Sequence, residues 1–252
     1  MSQNERRFGL IGYPLEHSGS ADLFRKKFLS EGLLHYSYSL FPLRSIELLP
    51  SFLQQQTDLT GFNVTIPFKE RIIPFLDSLD DIAGETGAVN TVLVERSAGR
   101  KILKGFNTDA EGFELSLPAG FDFTSCLILG TGGASKAVAR TMRKKGVNVM
   151  FVSRTHQDAN TVTYGELTPK IIGEHRFVVN CSPLGMYPDI ADCPPLPFEF
   201  LGSGHFVYDL IYNPPQTVFL RKAAEAGART QNGQSMLENQ AALSFRIWTG
   251  RE

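Results

Sequence analysis

Cysteine is scarce in this sequence. Cys126, Cys181 and Cys193 are the three in 252 residues, far apart, odd in number and without a CxxC pair. That argues against a disulfide framework and a cysteine-built zinc module, and it fits a reducing, cytoplasmic compartment. The five histidines include no HExxH spacing, so no metal site is expected. No apolar run approaches the ~18 residues that a membrane-spanning helix needs. The opening stretch, MSQNERRFGLIGY, carries charges where a secretory signal would carry an apolar run, and no signal peptide is expected. Neither sign of charge is in excess: 25 Lys and Arg stand against 26 Asp and Glu, a net charge of −1. Such a chain has no overall attraction to nucleic acid or to an anionic membrane surface. The basic triplet Arg143-Lys144-Lys145 falls where a helix should end and reads as a solvated terminus that complements the helix dipole. Internal repeats and low-complexity linkers are also lacking.

What is present is enough apolar residue, 42% against 20% charged, to bury a real core in one large domain or two modest ones. Short apolar runs alternate with helix-period segments. RFGLIG, YSYSLF and TGFNVTI read as strands, and ADLFRKKFLSEGL as an amphipathic helix. SIELLPSFLQQQ is helix-like with a proline near its middle. AVNTVLVER and KILKGFN read as a hairpin around SAGR. A second series follows: CLILG, the helix SKAVARTMRKKG, VNVMFVSR, RFVVNC, HFVYDLIY, the helix TVFLRKAAEAG and the amphipathic helix SMLENQAALSFRIW. The alternation predicts an α/β fold with mostly parallel strands, Rossmann-like in its second half. The proline-rich stretch SPLGMYPDIADCPPLPFEF reads as an ordered loop rather than a domain linker.

Two clusters carry chemistry. The first is the glycine turn Gly130-Thr131-Gly132-Gly133-Ala134, set between a strand and a helix. Unpaired N–H groups and the helix dipole favour a phosphate there. Ser135 stands where a dinucleotide fingerprint has its third glycine or alanine. The next strand ends in Ser153-Arg154-Thr155, with no acid before Asp158 to take ribose hydroxyls. An arginine at that point suits a 2′-phosphate, so NADP is favoured over NAD. The second cluster is GFNVTIPFK with GFNTDAEG. Lys69 is expected near the start of a helix, which disfavours its charge, and Asp109 is a carboxylate able to offset that. Together the two could move a proton at a carbonyl oxygen as hydride reaches its carbon.

With these motifs in view the chain resembles the shikimate dehydrogenase family over nearly its whole length. The resemblance rests on GYPLEHSGS (12–20), GFNVTIPFK (61–69), GAVNT (87–91), GFNTDAEG (105–112), GTGGAS (130–135), NCSPLGM (180–186), DLIYNPPQT (209–217) and NGQSMLENQAALSFRIWTG (232–250). It implies an N-terminal α/β substrate domain, residues 1–109 plus 232–252. A Rossmann-like, doubly wound NADP-binding domain would span residues 110–231, with a cleft between the two. The implied activity is reversible, NADPH-dependent reduction of 3-dehydroshikimate to shikimate, on the route to chorismate and aromatic amino acids. Lys69 matches the catalytic lysine and Asp109 its partner. Ser18 and Ser20 match serines that hold the substrate carboxylate, although either could instead cap a helix. Thr65, Asn90, Asp109, Tyr212 and Gln240 match positions that hydrogen-bond the ring. Gly130 to Ala134 match the pyrophosphate turn, Ser153, Arg154 and Thr155 the 2′-phosphate grip, and Leu210 and Gly233 the nicotinamide pocket. Asn63 and Asn107 read as braces for the turns, and Asp81 as an exposed helical acid.

Departures from the family pattern are also visible. Ala21 replaces a proline after the second serine, and Phe24-Arg25 replaces a His-Asn pair on the first helix. A further arginine after Thr155 is lacking, with His156 and Lys136 as the cations that could stand in. Two other readings stay open: a quinate/shikimate dehydrogenase using NAD, and a non-catalytic shikimate-binding relative. Monomer and homodimer are equally compatible with the sequence.

Overall fold

The computed structural model describes residues 5–97, 99–155 and 159–251; His156 and Asp158 lie outside them. The chain forms two compact units, Met1–Asp109 with Gln240–Glu252, and Ala110–Asn239. The first contains β1 (Arg6–Gly12), α1 (Ser20–Ser30), β2 (Tyr36–Pro42), α2 (Leu49–Gln55), β3 (Leu59–Val64), β4 (Ser78–Leu79), α3 (Asp81–Thr86), β5 (Thr91–Ser97) and β6 (Arg100–Phe106). Its strands form one sheet in the order β2-β1-β3-β5-β6-β4. β1 is parallel to β2 and β3, whereas β5 is antiparallel to β3 and β6. Alternation along β1 sends side chains to opposite faces. Phe8 joins Phe24, Phe28, Phe245 and Trp248 in one cluster, and Ile11 joins Phe62, Val92 and Leu103 in another.

Proline sets two local outcomes here. SIELLPSFLQQQ splits into a 3-10 turn, Ile46–Leu48, and α2, with Pro50 in the first turn where its missing N–H costs nothing. Lys69 does not begin a helix, contrary to the expectation from sequence. Phe68 N–H donates to Thr65 O at 2.9 Å and Ile72 N–H to Phe68 O at 2.9 Å; the next helical residues are the 3-10 turn Ile73–Phe75. Pro74 removes the donor that would reach back to Glu70 O, so no α-helix propagates through the segment. Lys69 therefore feels no helix dipole from its own segment. The Phe24-Arg25 departure has a packing role. Phe24 is 1% exposed, and its ring stacks on Tyr38 at 4.3 Å and leans on Trp248 at 5.3 Å. Arg25 turns outward and pairs with Asp22. Asp81 is exposed in the first turn of α3, whose cap is Asp80.

The chain enters the second unit along α4 (Asp109–Ser116). There follow β7 (Ser125–Leu129), α5 (Gly133–Lys144), β8 (Asn148–Ser153), β9 (Thr161–Thr163), α6 (Pro169–Glu174), β10 (Phe177–Asn180), β11 (Phe206–Asp209), α7 (Val218–Glu225) and β12 (Arg229–Gln231). α8 (Gln234–Thr249) carries the chain back into the first unit. The second sheet is wholly parallel, in the order β12-β11-β10-β7-β8-β9. Its central strands are apolar on both faces, as a parallel sheet covered by helices demands. Leu127, Leu129, Val178 and Val207 face one buried cluster, while Cys126, Ile128, Val179 and Tyr208 face the other. The proline-rich stretch after β10 is ordered, and Leu196 and Leu201 anchor it in the first of these clusters. Among the described residues no helix is long and apolar enough to cross a membrane, and no group of His, Cys, Asp and Glu could hold a metal ion.

Candidate active site

Strand direction gathers the chemistry of the first unit at one edge of its sheet. β1 and β3 are parallel, so the segments that follow them emerge together; Thr65 N–H donates to Ile11 O at 2.9 Å and Tyr13 N–H to Ile66 O at 3.0 Å. β5 is antiparallel to β3, with Thr91 opposite Asn63, so Asn90 lies at that same edge. β6 ends opposite Thr91, which brings Asn107, Thr108 and Asp109 there as well.

At this edge Lys69 Nζ donates to Asp109 Oδ2 at 2.6 Å. The pair is largely withdrawn from water, with side-chain exposures of 17% and 6%. A charge-assisted bond in such surroundings is stronger than a neutral one. The other carboxylate oxygen, Oδ1, accepts from Asn90 Nδ2 at 2.9 Å. Asn90 is oriented in turn: its Oδ1 accepts Thr108 N–H at 2.7 Å, and its Nδ2 reaches Gln240 Oε1 at 3.3 Å. Lys69, Asp109, Asn90 and Gln240 thus share one lattice. Asn63 braces it from behind, donating to Asn90 O at 3.1 Å and Ser244 Oγ at 3.0 Å while accepting from Tyr38 Oη at 2.8 Å. Asn107 holds the neighbouring turn through Ala88 O at 2.8 Å and Thr86 Oγ1 at 3.1 Å. Buried amides satisfied in this way leave little rotational freedom to the lysine and its partner.

The other expected substrate residues sit on separate segments. Ser18 lies in the loop between β1 and α1, and Ser20 is the first residue of α1; Ser18 Oγ accepts Ser20 N–H at 3.3 Å. Gly19, the N-cap of α1, has no side chain to cap with, and the Ser18 hydroxyl oxygen meets the first helical N–H in its place. Thr65 follows β3 and is half-buried. Tyr212 belongs to the second unit, in the loop after β11.

The second unit has its own candidate site. Strand order reverses between β7 and β10, and such a switch point is where open parallel sheets bind ligands. Gly130 leaves β7 there with φ +106°, and a Cβ on it would lie 3.4 Å from the Cys181 carbonyl carbon just beyond β10. Thr131 leads to Gly132, the N-cap of α5, which offers no side chain to the first-turn N–H groups. Gly133 and Ala134 open the helix, and Ser135 turns its hydroxyl back onto Gly132 O at 2.6 Å. The serine in place of a third glycine therefore leaves the mouth of the turn clear, and the turn fits a pyrophosphate. Ser153 ends β8, and Arg154 and Thr155 beyond it are exposed.

Leu210 and Gly233 are in direct contact: a Cβ on Gly233 would fall 2.0 Å from Leu210 O. Leu210 is held by Asn180 O at 3.0 Å, and Gly233 by Ile211 O at 3.1 Å. Sequence reasoning gave no role to Asp209 beside them. It is fully buried and accepts from Thr217 Oγ1 at 2.6 Å, Asn180 Nδ2 at 3.0 Å and Ile211 N–H at 3.1 Å. Burial pushes its carboxyl up to about 6, against the pull of those three donors. Ser244 was likewise missed; its signal is a polar side chain four residues after Gln240 on a helix otherwise apolar at Ala241, Phe245 and Trp248.

The profile described as "Shikimate dehydrogenase substrate binding domain" matches residues 10–92. Shikimate dehydrogenase (NADP(+)) of Halothermothrix orenii is 36% identical over 96% of this chain and 90% of its own. The crystal structure of shikimate dehydrogenase 1 from Peptoclostridium difficile superposes with a TM-score of 0.86 at 32% identity, covering 98% of this chain and 92% of that one. The Thermus thermophilus enzyme, crystallised with NADP(H) and shikimate, gives a TM-score of 0.83 at 37% identity over 97% and 94% of the two chains. On the motifs, the two sheets and a likeness that runs the length of the chain, this protein belongs to the shikimate dehydrogenase family.

Proposed function

We propose that this chain is an NADP-dependent shikimate dehydrogenase that reduces 3-dehydroshikimate reversibly to shikimate. The observation that carries the reading is the withdrawn Lys69–Asp109 pair in its amide lattice, 2.6 Å between Nζ and Oδ2. Ser18 and Ser20 offer hydroxyl donors to the substrate carboxylate. Thr65, Asn90 and Gln240 offer hydrogen bonds to the ring hydroxyls, which are costly to bury unpaired. The Lys69 ammonium presents a proton to the C3 oxygen as that oxygen gains electron density, and takes it back in the reverse direction. Asp109 holds Nζ in place and stabilises its charge. Bound NADPH supplies the hydride. The Gly130–Ala134 turn would hold its pyrophosphate, and Ser153, Arg154 and Thr155 its 2′-phosphate. The three cysteines are free thiols, and we take the cytoplasm as the compartment.

Lys69→Met tests the reading. With shikimate and NADP⁺, followed at the NADPH absorbance band, kcat should fall about 10²–10⁴-fold while KM for shikimate changes little. An unchanged kcat would remove Lys69 from the reaction. Running the parent protein with NAD⁺ and with quinate separates the remaining readings. Comparable rates there make it a dual-specificity enzyme, and shikimate binding without any turnover makes it a non-catalytic relative.

A further inference from the structure

Apart from the residues gathered around Lys69, the first unit carries a cavity of about 810 Å³. None of the residues assigned above to substrate or cofactor lines it. Its floor is apolar: Leu49 and Leu53 of α2 and Leu103 of β6 also belong to the buried cluster beneath. Its wall is cationic, with Arg96, Arg100 and Lys101 all contributed by β5 and β6. Asp77 is the one carboxylate among the described lining residues, and it is already engaged. It pairs with Arg100, and its Oδ2 accepts Leu103 N–H at 2.8 Å. Among the described residues Arg96 and Lys101 have no ion-pair partner. Arg96 donates to Thr57 O, and Lys101 Nζ to Leu53 O and, at 2.7 Å, to Gln56 O. Carbonyl oxygens carry only partial charge, so two formal positive charges stand over an apolar floor with no carboxylate in direct contact among the described residues, Asp58 acting only at a distance. Their proximity has an electrostatic trace: burial first, and then the Arg96 guanidinium, lower the affinity of Lys101 for its proton, with Asp58 acting the other way.

We propose that this cavity is a second small-molecule site, and that its ligand is an amphipathic organic monoanion with an apolar ring over Leu49, Leu53 and Leu103 and a carboxylate between Arg96 and Lys101. The volume lies within the roughly 300–1,000 Å³ of small-molecule sites, large enough for one or two fused rings. Each half of the ligand is needed. A neutral ring would leave both cations uncompensated, and a small inorganic anion would leave the floor wet. Because Arg96 is exposed, the charged contact is screened by salt and cannot supply the affinity alone.

The test is isothermal titration of the full chain with 1-naphthoate, with and without saturating shikimate. One equivalent should bind in both conditions. Binding should weaken about tenfold in Arg96→Ala, in Lys101→Met and with the neutral probe 1-naphthylmethanol. Shikimate turnover should be unchanged in both variants. Arg96 lies at the surface, so Arg96→Ala decides the matter even if Lys101→Met, which loses two carbonyl contacts, fails to fold. The proposal is overturned if shikimate abolishes naphthoate binding, which would make naphthoate a substrate-site competitor. It is equally overturned if acid and alcohol bind alike, or if Arg96→Ala binds as the parent does. A protein that gives no heat with shikimate would sink the proposed function instead, and the naphthoate titration would still decide this site.

Discussion

Replacing Gly233 with alanine puts a methyl group where there is no room for one. The new Cβ would lie 2.0 Å from Leu210 O and 2.5 Å from its carbonyl carbon, both backbone atoms that cannot swing aside. Real Cβ contacts begin near 3.0 Å, so relief requires a displacement of about 1 Å, 3.0 minus 2.0. That displacement falls on a segment pinned from both sides, by Asn180 O on Leu210 and by Ile211 O on Gly233. Overpacking of this kind costs about 1–3 kcal/mol. A misplacement of about 1 Å in a reacting geometry can cost about 10²-fold in rate. We therefore expect Gly233→Ala to lose about 1–3 kcal/mol in urea unfolding and about 10²-fold in kcat/KM for NADPH. Equilibrium binding of shikimate alone should change little, because Gly233 lies outside the unit that carries Lys69 and Asp109. The assay pairs a urea midpoint with initial rates at varied NADPH. If the variant melts and turns over like the parent, the close approach is not a constraint on the protein and the assignment of Leu210 and Gly233 to the nicotinamide pocket loses its support.

Three further outcomes are expected. Arg154→Gln should raise KM for NADPH by about 10- to 100-fold while leaving rates with NADH unaltered, and equal losses with both cofactors would count against a 2′-phosphate role. Asp209 has an ordinary value of 3.8 and a folded value of about 6, so the native state binds more protons between them. Stability should then fall as pH rises from about 4 to about 6, by about 3 kcal/mol in total. Urea midpoints across that range should show the slope in the parent and lose it in Asp209→Asn; the same slope in both would assign it elsewhere. Phe24→Ala empties a site 1% exposed between Tyr38 and Trp248, and should cost about 3–5 kcal/mol, read from the fluorescence of the single tryptophan during unfolding. A loss below about 1 kcal/mol would mean that the aromatic cluster collapses around the gap.

Much of this architecture is legible in the chain because burial on both faces leaves a strong mark. β7, β10 and β11 read as unbroken apolar runs, and α5 as an apolar stripe ended by Arg143 and Lys144. β4, β9 and β12 do not, since two or three residues show no period and are fixed only by the neighbour they pair with. The Lys69 segment misleads for a different reason. KERIIPFL has helical spacing of apolar residues, but Pro74 within it denies a helix one of its donors. In the site, Lys69 and Asp109 are suggestive as types, yet nothing local brings residues 40 positions apart to 2.6 Å. That proximity comes from the antiparallel β3-β5-β6 order, which places the ends of three strands together. Asp209 lay within a quoted motif and went unassigned because its partners, Asn180 and Thr217, are remote in sequence or ordinary in kind.

The division of the chain also sets the order in which the two units become complete as the chain is made. A nascent polypeptide that has reached Asn239 already holds every residue of the second unit, which is contiguous. The first unit at that moment is incomplete. Phe8 still lacks the indole of Trp248, stacked at 4.9 Å in the finished protein, and Val92 O lacks the Trp248 Nε1–H that donates to it at 3.0 Å. Asn63 and Thr91 lack the Ser244 hydroxyl, and Asn90 lacks Gln240. Residues made first thus wait for those made last before their core can close and their amides can settle. A chain cut near residue 239 would keep the second unit's residues whole and deprive the first of the aromatic and polar partners that α8 supplies.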